Sequence, residues 1–166
     1  MTLKLNDKAP DFSLLNEDKT QISLKDFAGK WVILYFYPKD NTPGCTTEAC
    51  EFSGLWDDFS AQNALIIGIS PDAPASHANF ARKFSLKHIL LCDEDKSVAK
   101  SYGAWGLKQN YGKSYEGLVR STFIIDTRGK LAALYKNVRA KDHAAKVLSD
   151  LKRLQGEADA AGAKKA

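Results

Sequence analysis

Two uninterrupted apolar runs constrain the fold more than any other feature: "WVILYFY" at residues 31–37 and "ALIIGIS" at residues 64–70. A strand with one face in water alternates apolar and polar side chains, whereas a strand buried on both faces does not. Both runs also contain many of the β-branched and aromatic residues that strands favour. They therefore predict two central strands of a sheet whose two faces are both covered by helices.

The rest of the chain alternates between strand and helix patterns. "DFSLL" and "TQISL" flank "NEDK" and predict an N-terminal β-hairpin. Further helices and strands are predicted in the following order: helices near 43–62 and 74–84, a strand at 88–91, a short helix at 95–103, a strand pair at 121–126 and 130–136, and a closing amphipathic helix at 142–154. This order predicts an α/β protein with a thioredoxin-like fold, in which a central mixed β-sheet has helices on both faces.

Length and composition suit one globular domain. The 166 residues are 44% hydrophobic and 27% charged, so a core of ordinary size is possible. We predict a domain over residues 1–154 and a flexible tail over 155–166, where "GEADAAGAKKA" lacks large apolar residues.

Charge and hydropathy argue against nucleic acid and membrane partners. The net charge of +4 comes from 24 basic and 20 acidic side chains scattered along the chain, so nucleic-acid binding is not suggested. No apolar run approaches the ~20 residues that span a bilayer. The N-terminal "MTLKLNDKAPDF" does not have the layout of a signal peptide, and we expect a cytoplasmic protein.

The helix predicted near residue 43 carries two cysteines. Pro43 suits the first position of a helix, and Thr42 before it is a good N-cap. Cys45 then falls in the first turn, where unpaired N–H groups and the helix dipole stabilise a thiolate, the nucleophilic form of cysteine. Steps of three and four residues place Cys45 on one apolar stripe with Ala49, Phe52, Trp56 and Phe59.

Cys50 lies elsewhere on the same helix. At ~100° per residue it is about 140° around the axis from Cys45, and the two Cα atoms of an intact helix would be about 8–9 Å apart. Disulfides rarely tolerate more than about 7 Å. The two cysteines therefore cannot bond unless the helix unwinds, which argues against a static structural disulfide.

Other uses of the three cysteines fit the sequence less well. The total of three is a poor disulfide framework. An iron–sulfur site with C-x4-C spacing needs another cysteine close behind and a fourth further on. A thiol–disulfide oxidoreductase would use C-x-x-C, which this chain lacks. Alternatively, Cys45 and Cys50 are simply small residues of the core, although Cys50 lies off the apolar stripe. The residues favour a redox pair.

"PKDNTPGC" at residues 38–45 matches the peroxiredoxin signature P-x-x-x-T-x-x-C. The longer string "YFYPKDNTPGCTTEAC" closely resembles the peroxiredoxin Q subfamily, also called bacterioferritin comigratory protein. The similarity covers roughly residues 5–154 and includes these further strings: "APDFSL", "IIGIS", "LLCDED", "YGAWG" and "YGKSYEGLVRSTFIID".

The resemblance implies a thiol-dependent peroxidase that reduces hydrogen peroxide and organic (alkyl) hydroperoxides. Cys45 would be the peroxidatic cysteine, which becomes a sulfenic acid. Cys50 matches the position of the resolving cysteine, so the product would be a Cys45–Cys50 disulfide within one chain. The subfamily further implies reduction of that disulfide by thioredoxin or a similar thiol, with no metal and no other cofactor. We expect a monomer, because an internal disulfide requires no second subunit. A peroxide sensor that passes oxidation to a partner protein is the alternative.

Four further side chains receive expected roles from the same resemblance. The hydroxyl of Thr42 would bind peroxide and thiolate, and Pro38 would close the pocket over the cysteine. Arg120 would stabilise the thiolate and the departing oxygen, and Glu48 would hold that arginine in place. In some members the resolving cysteine lies on a later helix, in a stretch like "NFARKF", which has none here. Cys92 is expected to be a partly buried residue at the end of a strand.

Overall fold

The computed structural model describes residues 3–110 and 112–165, which form nine strands and five α-helices within those ranges. The strands are β1 Ser13–Asn16, β2 Gln21–Ser23, β3 Trp31–Phe36, β4 Ala64–Ser70, β5 Ile89–Cys92, β6 Trp105–Asn110, β7 Lys113–Leu118, β8 Ser121–Ile125 and β9 Leu131–Tyr135. The helices are α1 Pro43–Gly54, α2 Trp56–Ala61, α3 Pro74–Phe84, α4 Ser97–Ser101 and α5 His143–Lys165. A short 3-10 helix, Leu24–Phe27, follows β2.

Seven strands form the central sheet in the order β2-β1-β5-β4-β3-β8-β9. The strands β3, β4 and β5 are parallel, with Val32 opposite Leu65, whereas β8 runs antiparallel to β3 and β9 antiparallel to β8. The β1–β2 hairpin pairs with β5 through β1. The mixed sheet and the N-terminal hairpin are therefore as the sequence predicted.

Every residue of β3 and β4 is buried, as their continuous apolar runs indicated. Alternate residues of β3 point to opposite faces. Ile33 and Tyr35 belong to a core cluster with residues of α1, α2, α3 and α5, whereas Val32 and Leu34 belong to a second cluster with α4 and the N-terminal segment. Helices thus cover both faces, and the predicted thioredoxin-like architecture is confirmed.

Two local features differ from the sequence prediction. The helix expected over 43–62 is divided, because α1 ends at Gly54 and α2 starts at Trp56; glycine is a poor helix former, which favours an end there. The hairpin β6–β7 was not predicted. Its second strand is exposed from Lys113 to Glu116, so the strand carries no apolar alternation to reveal it.

The closing helix α5 is longer than predicted. It runs across the proposed boundary at residue 154 and continues to Lys165. The division into a domain over 1–154 and a flexible tail over 155–166 stays a prediction. Within residues 3–110 and 112–165, none of the helices combines the length and the apolar character needed to cross a membrane.

Candidate active site

Cys45 lies near the start of the helix that follows the central strand β3. β3 ends at Phe36, a loop over residues 37–42 follows, and α1 starts at Pro43, so Cys45 falls in its first turn as predicted. The side chain packs in the core cluster beneath α1, and the residue is only 1% exposed. The positive end of the helix dipole favours a reactive sulfur, and burial limits the access of water to that sulfur.

Arg120 approaches this sulfur from the segment between β7 and β8. Its Nη2 donates to Sγ of Cys45 at 3.2 Å, and its Nη1 donates to Oε1 of Glu48 at 2.6 Å. The Arg120 side chain is 16% exposed, and that of Glu48 is fully buried. A Cβ on Gly44 would lie 3.3 Å from Nη2, so the glycine lets the guanidinium rest against the first turn. The structure therefore brings Cys45, Glu48 and Arg120 together.

Thr42 has the extended backbone of an N-cap residue, with φ −99° and ψ 156°. Its side chain, however, makes no hydrogen bond to the first turn, so the predicted side-chain cap of α1 is wrong, and the hydroxyl donates to the carbonyl of Lys39 at 2.9 Å. The hydroxyl closes the loop before the helix instead. A hydroxyl that donates once keeps lone pairs with which it can accept. Pro38 is half-buried and follows Tyr37, the last residue whose N–H bonds to β4.

Cys50 and Cys92 occupy contrasting positions. Cys50 is exposed and Cys45 buried, on a helix that is continuous through both, which confirms their predicted separation around the axis. Cys92 is buried at the end of β5. Burial, with Glu94 and other carboxylates nearby, raises the pKa of the Cys92 thiol to about 12. Cys92 is therefore a poor nucleophile at neutral pH.

A buried polar network beneath the loop was not predicted from the sequence. Oδ1 of Asp40 accepts from the Tyr37 hydroxyl at 2.5 Å, and Oδ2 accepts from Ser76 Oγ at 2.8 Å and from His77 Nδ1 at 2.7 Å. These four residues, here called the Asp40 network, join the loop to the first turn of α3. The one signal in the sequence was His77, a histidine three residues before Phe80 on the buried face of α3.

His77 lies between two acceptors. Its Nδ1 faces Asp40, and its Nε2 faces the carbonyl of Leu91 at 2.8 Å. The hydrogen bond and the charge of Asp40 raise the pKa of His77 against the opposing effect of burial. Asp40, Asp72 and His77 lie close enough to hold a metal ion. A histidine with protons on both nitrogens has no lone pair for a metal, however, so the geometry favours a buried ion pair.

Tyr35 and His88 pack against Phe52 on the buried side of α1. The Tyr35 hydroxyl lies 2.7 Å from His88 Nε2, and the Tyr35 ring stacks on Phe52 with centroids 4.7 Å apart. Burial lowers the pKa of His88 to about 3, so this histidine is neutral. A Cβ on Gly68 would come within 2.8 Å of the Tyr35 hydroxyl, which explains the glycine in an otherwise apolar strand.

The ionisation of Glu48 should make stability depend on pH. Burial raises the pKa of Glu48 from 4.5 to about 7, although Arg120 acts to lower it. Between those values the folded protein keeps a proton that the unfolded chain releases, so the free energy of unfolding falls as pH rises across this window. The Glu48 contribution is on the order of 3 kcal/mol. Urea unfolding across the window should show a shallower pH dependence in Glu48→Gln than in the unmodified protein.

The matched control for this measurement is Glu157→Gln, which removes an exposed glutamate paired with Arg153. It should leave the pH dependence of unfolding unchanged, because Glu157 is solvated in both states. Identical pH slopes in Glu48→Gln and the unmodified protein would contradict the assignment.

Comparison with known proteins places these features in a wider context. The model of the AhpC/TSA family matches residues 5–134. The chain is 54% identical over 149 residues to the putative peroxiredoxin bcp of Helicobacter pylori strain J99, covering 90% of this chain and 98% of that protein. It is 45% identical over 152 residues to peroxiredoxin Bcp of Bacillus subtilis, with 92% and 97% covered.

Solved structures of bacterioferritin comigratory protein and PrxQ are also similar to this chain. The bacterioferritin comigratory protein of Xanthomonas campestris, described for its alkyl peroxide reduction activity, superposes with a TM-score of 0.84 at 36% identity, covering 91% of this chain and 96% of that one. A mutant of PrxQ from Xylella fastidiosa gives a TM-score of 0.86 at 32% identity, covering 92% and 98%.

Proposed function

The chain belongs to the AhpC/TSA family, among the Bcp and peroxiredoxin Q peroxidases, and we propose that it reduces hydrogen peroxide and organic hydroperoxides through Cys45 and Cys50. The observation that carries the proposal is the 3.2 Å hydrogen bond from Arg120 Nη2 to Cys45 Sγ in a buried site at a helix N-terminus. A fixed cation at that distance stabilises a thiolate and keeps it facing one direction.

In the first step the Cys45 thiolate attacks one oxygen of the peroxide. A sulfur–oxygen bond forms and the oxygen–oxygen bond breaks, so the sulfur is oxidised to a sulfenic acid by two electrons. The departing oxygen leaves with those electrons as hydroxide or alkoxide and takes a proton to become water or an alcohol. Arg120 is near enough to share its charge with the departing oxygen, because it already contacts the sulfur.

Three neighbours support this step in the proposal. Glu48 fixes the guanidinium of Arg120 from one turn further along α1. Thr42 keeps lone pairs with which to accept a hydrogen bond from the peroxide, while its own proton is directed to Lys39. Pro38, near the start of the loop over residues 37–42, limits the access of water to the Cys45 sulfur.

In the second step the sulfur of Cys50 attacks the sulfenic sulfur of Cys45. A sulfur–sulfur bond forms, the sulfur–oxygen bond breaks, and the hydroxide that leaves combines with the Cys50 proton as water. α1 must open first, since an intact helix holds the two cysteines too far apart. The burial and raised pKa of Cys92 argue against Cys92 in this role.

The cycle is completed when a dithiol protein of the thioredoxin class reduces the Cys45–Cys50 disulfide. Exposure of Cys50 supports this part of the proposal, because the incoming thiolate needs access to one of the two sulfurs. We also propose a cytoplasmic, monomeric enzyme. An exposed free thiol suits a reducing compartment, and an internal disulfide needs no second subunit.

The test is to treat the reduced protein with one equivalent of hydrogen peroxide and to map disulfides by mass spectrometry. The expected product is a Cys45–Cys50 bond within one chain, formed equally in the variant Cys92→Ser. A Cys45–Cys92 bond, a bond between chains or no disulfide would overturn the assignment of Cys50. A mixed disulfide with a partner protein that persists when thioredoxin is present would instead favour the sensor.

A further inference from the structure

The helix that carries both cysteines is attached to the closing helix by a contact outside the peroxide site. Both carboxylate oxygens of Glu51 accept from the backbone N–H of Asp142, at 3.1 and 3.0 Å. Asp142 directly precedes α5 and has a left-handed backbone, with φ +64°. The carboxylate also lies near the positive end of α5, where a negative charge is stabilised.

The closing helix is a fixed support for this contact. His143 Nε2 lies 2.8 Å from Thr122 Oγ1 of β8, and the Tyr135 hydroxyl of β9 donates to Asp150 Oδ2 at 2.5 Å. The inner face of α5 is also packed against the sheet through four buried residues: Ala144, Val147, Leu148 and Leu151. α5 is therefore joined to the sheet at several points, and a group attached to its N-terminus is held in place.

Glu51 is the residue that directly follows Cys50. Phe52 follows, packed in the core, and the next hydrogen bond from α1 to another segment is that of Ser53, whose Oγ accepts from the backbone N–H of Lys87 at 2.9 Å. Movement of Cys50 toward Cys45 requires the backbone around residues 45–50 to leave its helical path. The Glu51 contact opposes that movement at its nearest point, since it fixes the adjacent residue to α5.

We propose that Glu51 is a positioning residue that keeps Cys50 in the helix and thereby slows the formation of the Cys45–Cys50 disulfide. This inference rests on the proposed function. The contact with α5 controls the formation of the disulfide and not the attack on peroxide. The hydrogen bonds of Glu51 go to Asp142, whereas Arg120 bonds the sulfur of Cys45 and Glu48 bonds Arg120.

Slower resolution has a chemical consequence. A sulfenic acid that waits for Cys50 can react with a second peroxide, which transfers an oxygen to the sulfur and gives the sulfinic acid and water or an alcohol. The rate of helix opening sets the balance between the disulfide and this over-oxidised form. Glu51 therefore increases the sensitivity of the enzyme to high peroxide concentrations.

The experiment compares Glu51→Ala and Glu51→Gln with the unmodified protein and with Glu157→Gln, which removes an exposed carboxylate from α5. Rapid mixing with hydrogen peroxide separates the second-order formation of the sulfenic acid from the first-order formation of the disulfide. In Glu51→Ala we expect disulfide formation to be faster by on the order of tenfold, because hydrogen bonds to charged groups are the strong ones. Sulfenic acid formation should stay within about twofold of the unmodified rate, since the Arg120 contact is retained.

Glu51→Gln should be intermediate, because its amide oxygen still accepts but carries no charge, and Glu157→Gln should match the unmodified protein. Mass spectrometry at rising peroxide concentrations should show less sulfinic acid per turnover in Glu51→Ala. Unchanged or slower disulfide formation in Glu51→Ala would overturn the role of Glu51. If the unmodified protein formed no Cys45–Cys50 disulfide, the proposed function itself would fail, and this inference with it.

Discussion

Replacement of Cys45 by serine should abolish peroxide consumption, with a loss of ~10⁴-fold or more that is typical when a catalytic nucleophile is removed. The serine hydroxyl would occupy the same buried position beside Arg120, but it remains protonated at neutral pH and is a weak nucleophile toward a peroxide oxygen. The other cysteines offer no substitute in the folded protein, because Cys50 is on the far side of α1 and Cys92 is buried with a raised pKa.

The measurement is peroxide consumption in the presence of a thiol reductant, with Cys50→Ser and Cys92→Ser as matched controls. Cys50→Ser should consume about one equivalent of peroxide in the first turnover and then depend on a small external thiol, because its sulfenic acid has no internal partner. Cys92→Ser should behave like the unmodified protein. Substantial turnover by Cys45→Ser would exclude the mechanism.

Much of the fold could be predicted from local patterns. The runs that form β3 and β4 are apolar at nearly every position because both faces of these strands are buried, and this lack of alternation can be seen in the sequence itself. Pro43 similarly predicted the start of α1, and the helical period placed Cys45 on the buried face and Cys50 on the exposed one.

Contacts between distant residues could not be predicted in the same way. Arg120 is 75 residues from Cys45 in the chain, and Asp40 is 37 from His77. The periodicity of a sequence describes neighbours along one element and carries no information about which elements meet. Arg120 was identified only through the resemblance to peroxiredoxins. The Asp40 network was not identified at all.

The hydroxyl of Thr42 shows a further limit of local prediction. Threonine before a helix is commonly a cap, in which its oxygen accepts from an N–H of the first turn, yet the Thr42 side chain makes no such bond and donates to Lys39 O three residues upstream. Both local hydrogen bonds are open to a threonine at this position, and no pattern of neighbouring residues distinguishes them. The loop that carries Asp40 decides the outcome, because its path brings the Lys39 carbonyl to the hydroxyl.

Replacement of Asp40 by asparagine should destabilise the folded protein by about 3–5 kcal/mol, the usual cost of removing one partner from a buried ion pair. His77 is buried and donates to Asp40 and to the Leu91 carbonyl, so without the carboxylate its charge would lose its ion-pair partner, with the neighbouring Asp72 left to compensate it in part. The asparagine amide could also not accept from Tyr37, Ser76 and His77 together, because it offers one oxygen where the carboxylate offers two. Chemical denaturation of the reduced protein measures the loss.

The loss should depend on pH, and the direction follows from the pKa of His77. In the unmodified protein Asp40 raises that pKa, so the contribution of the pair is fully present below the ordinary histidine pKa of 6.5 and declines as pH rises through the folded value. In Asp40→Asn the two effects of Asp40 on this pKa are lost, and burial, which is the largest influence and outweighs the Leu91 carbonyl and Asp72, favours neutral His77, so the variant loses stability as pH falls. The difference between the two proteins should therefore be larger at about pH 5.5 than at about pH 8.5.

The exposed substitution Asp58→Asn on α2 is the control and should change stability little at either pH. Equal losses for Asp40→Asn at both pH values would show that His77 is neutral and that the network is held by uncharged hydrogen bonds.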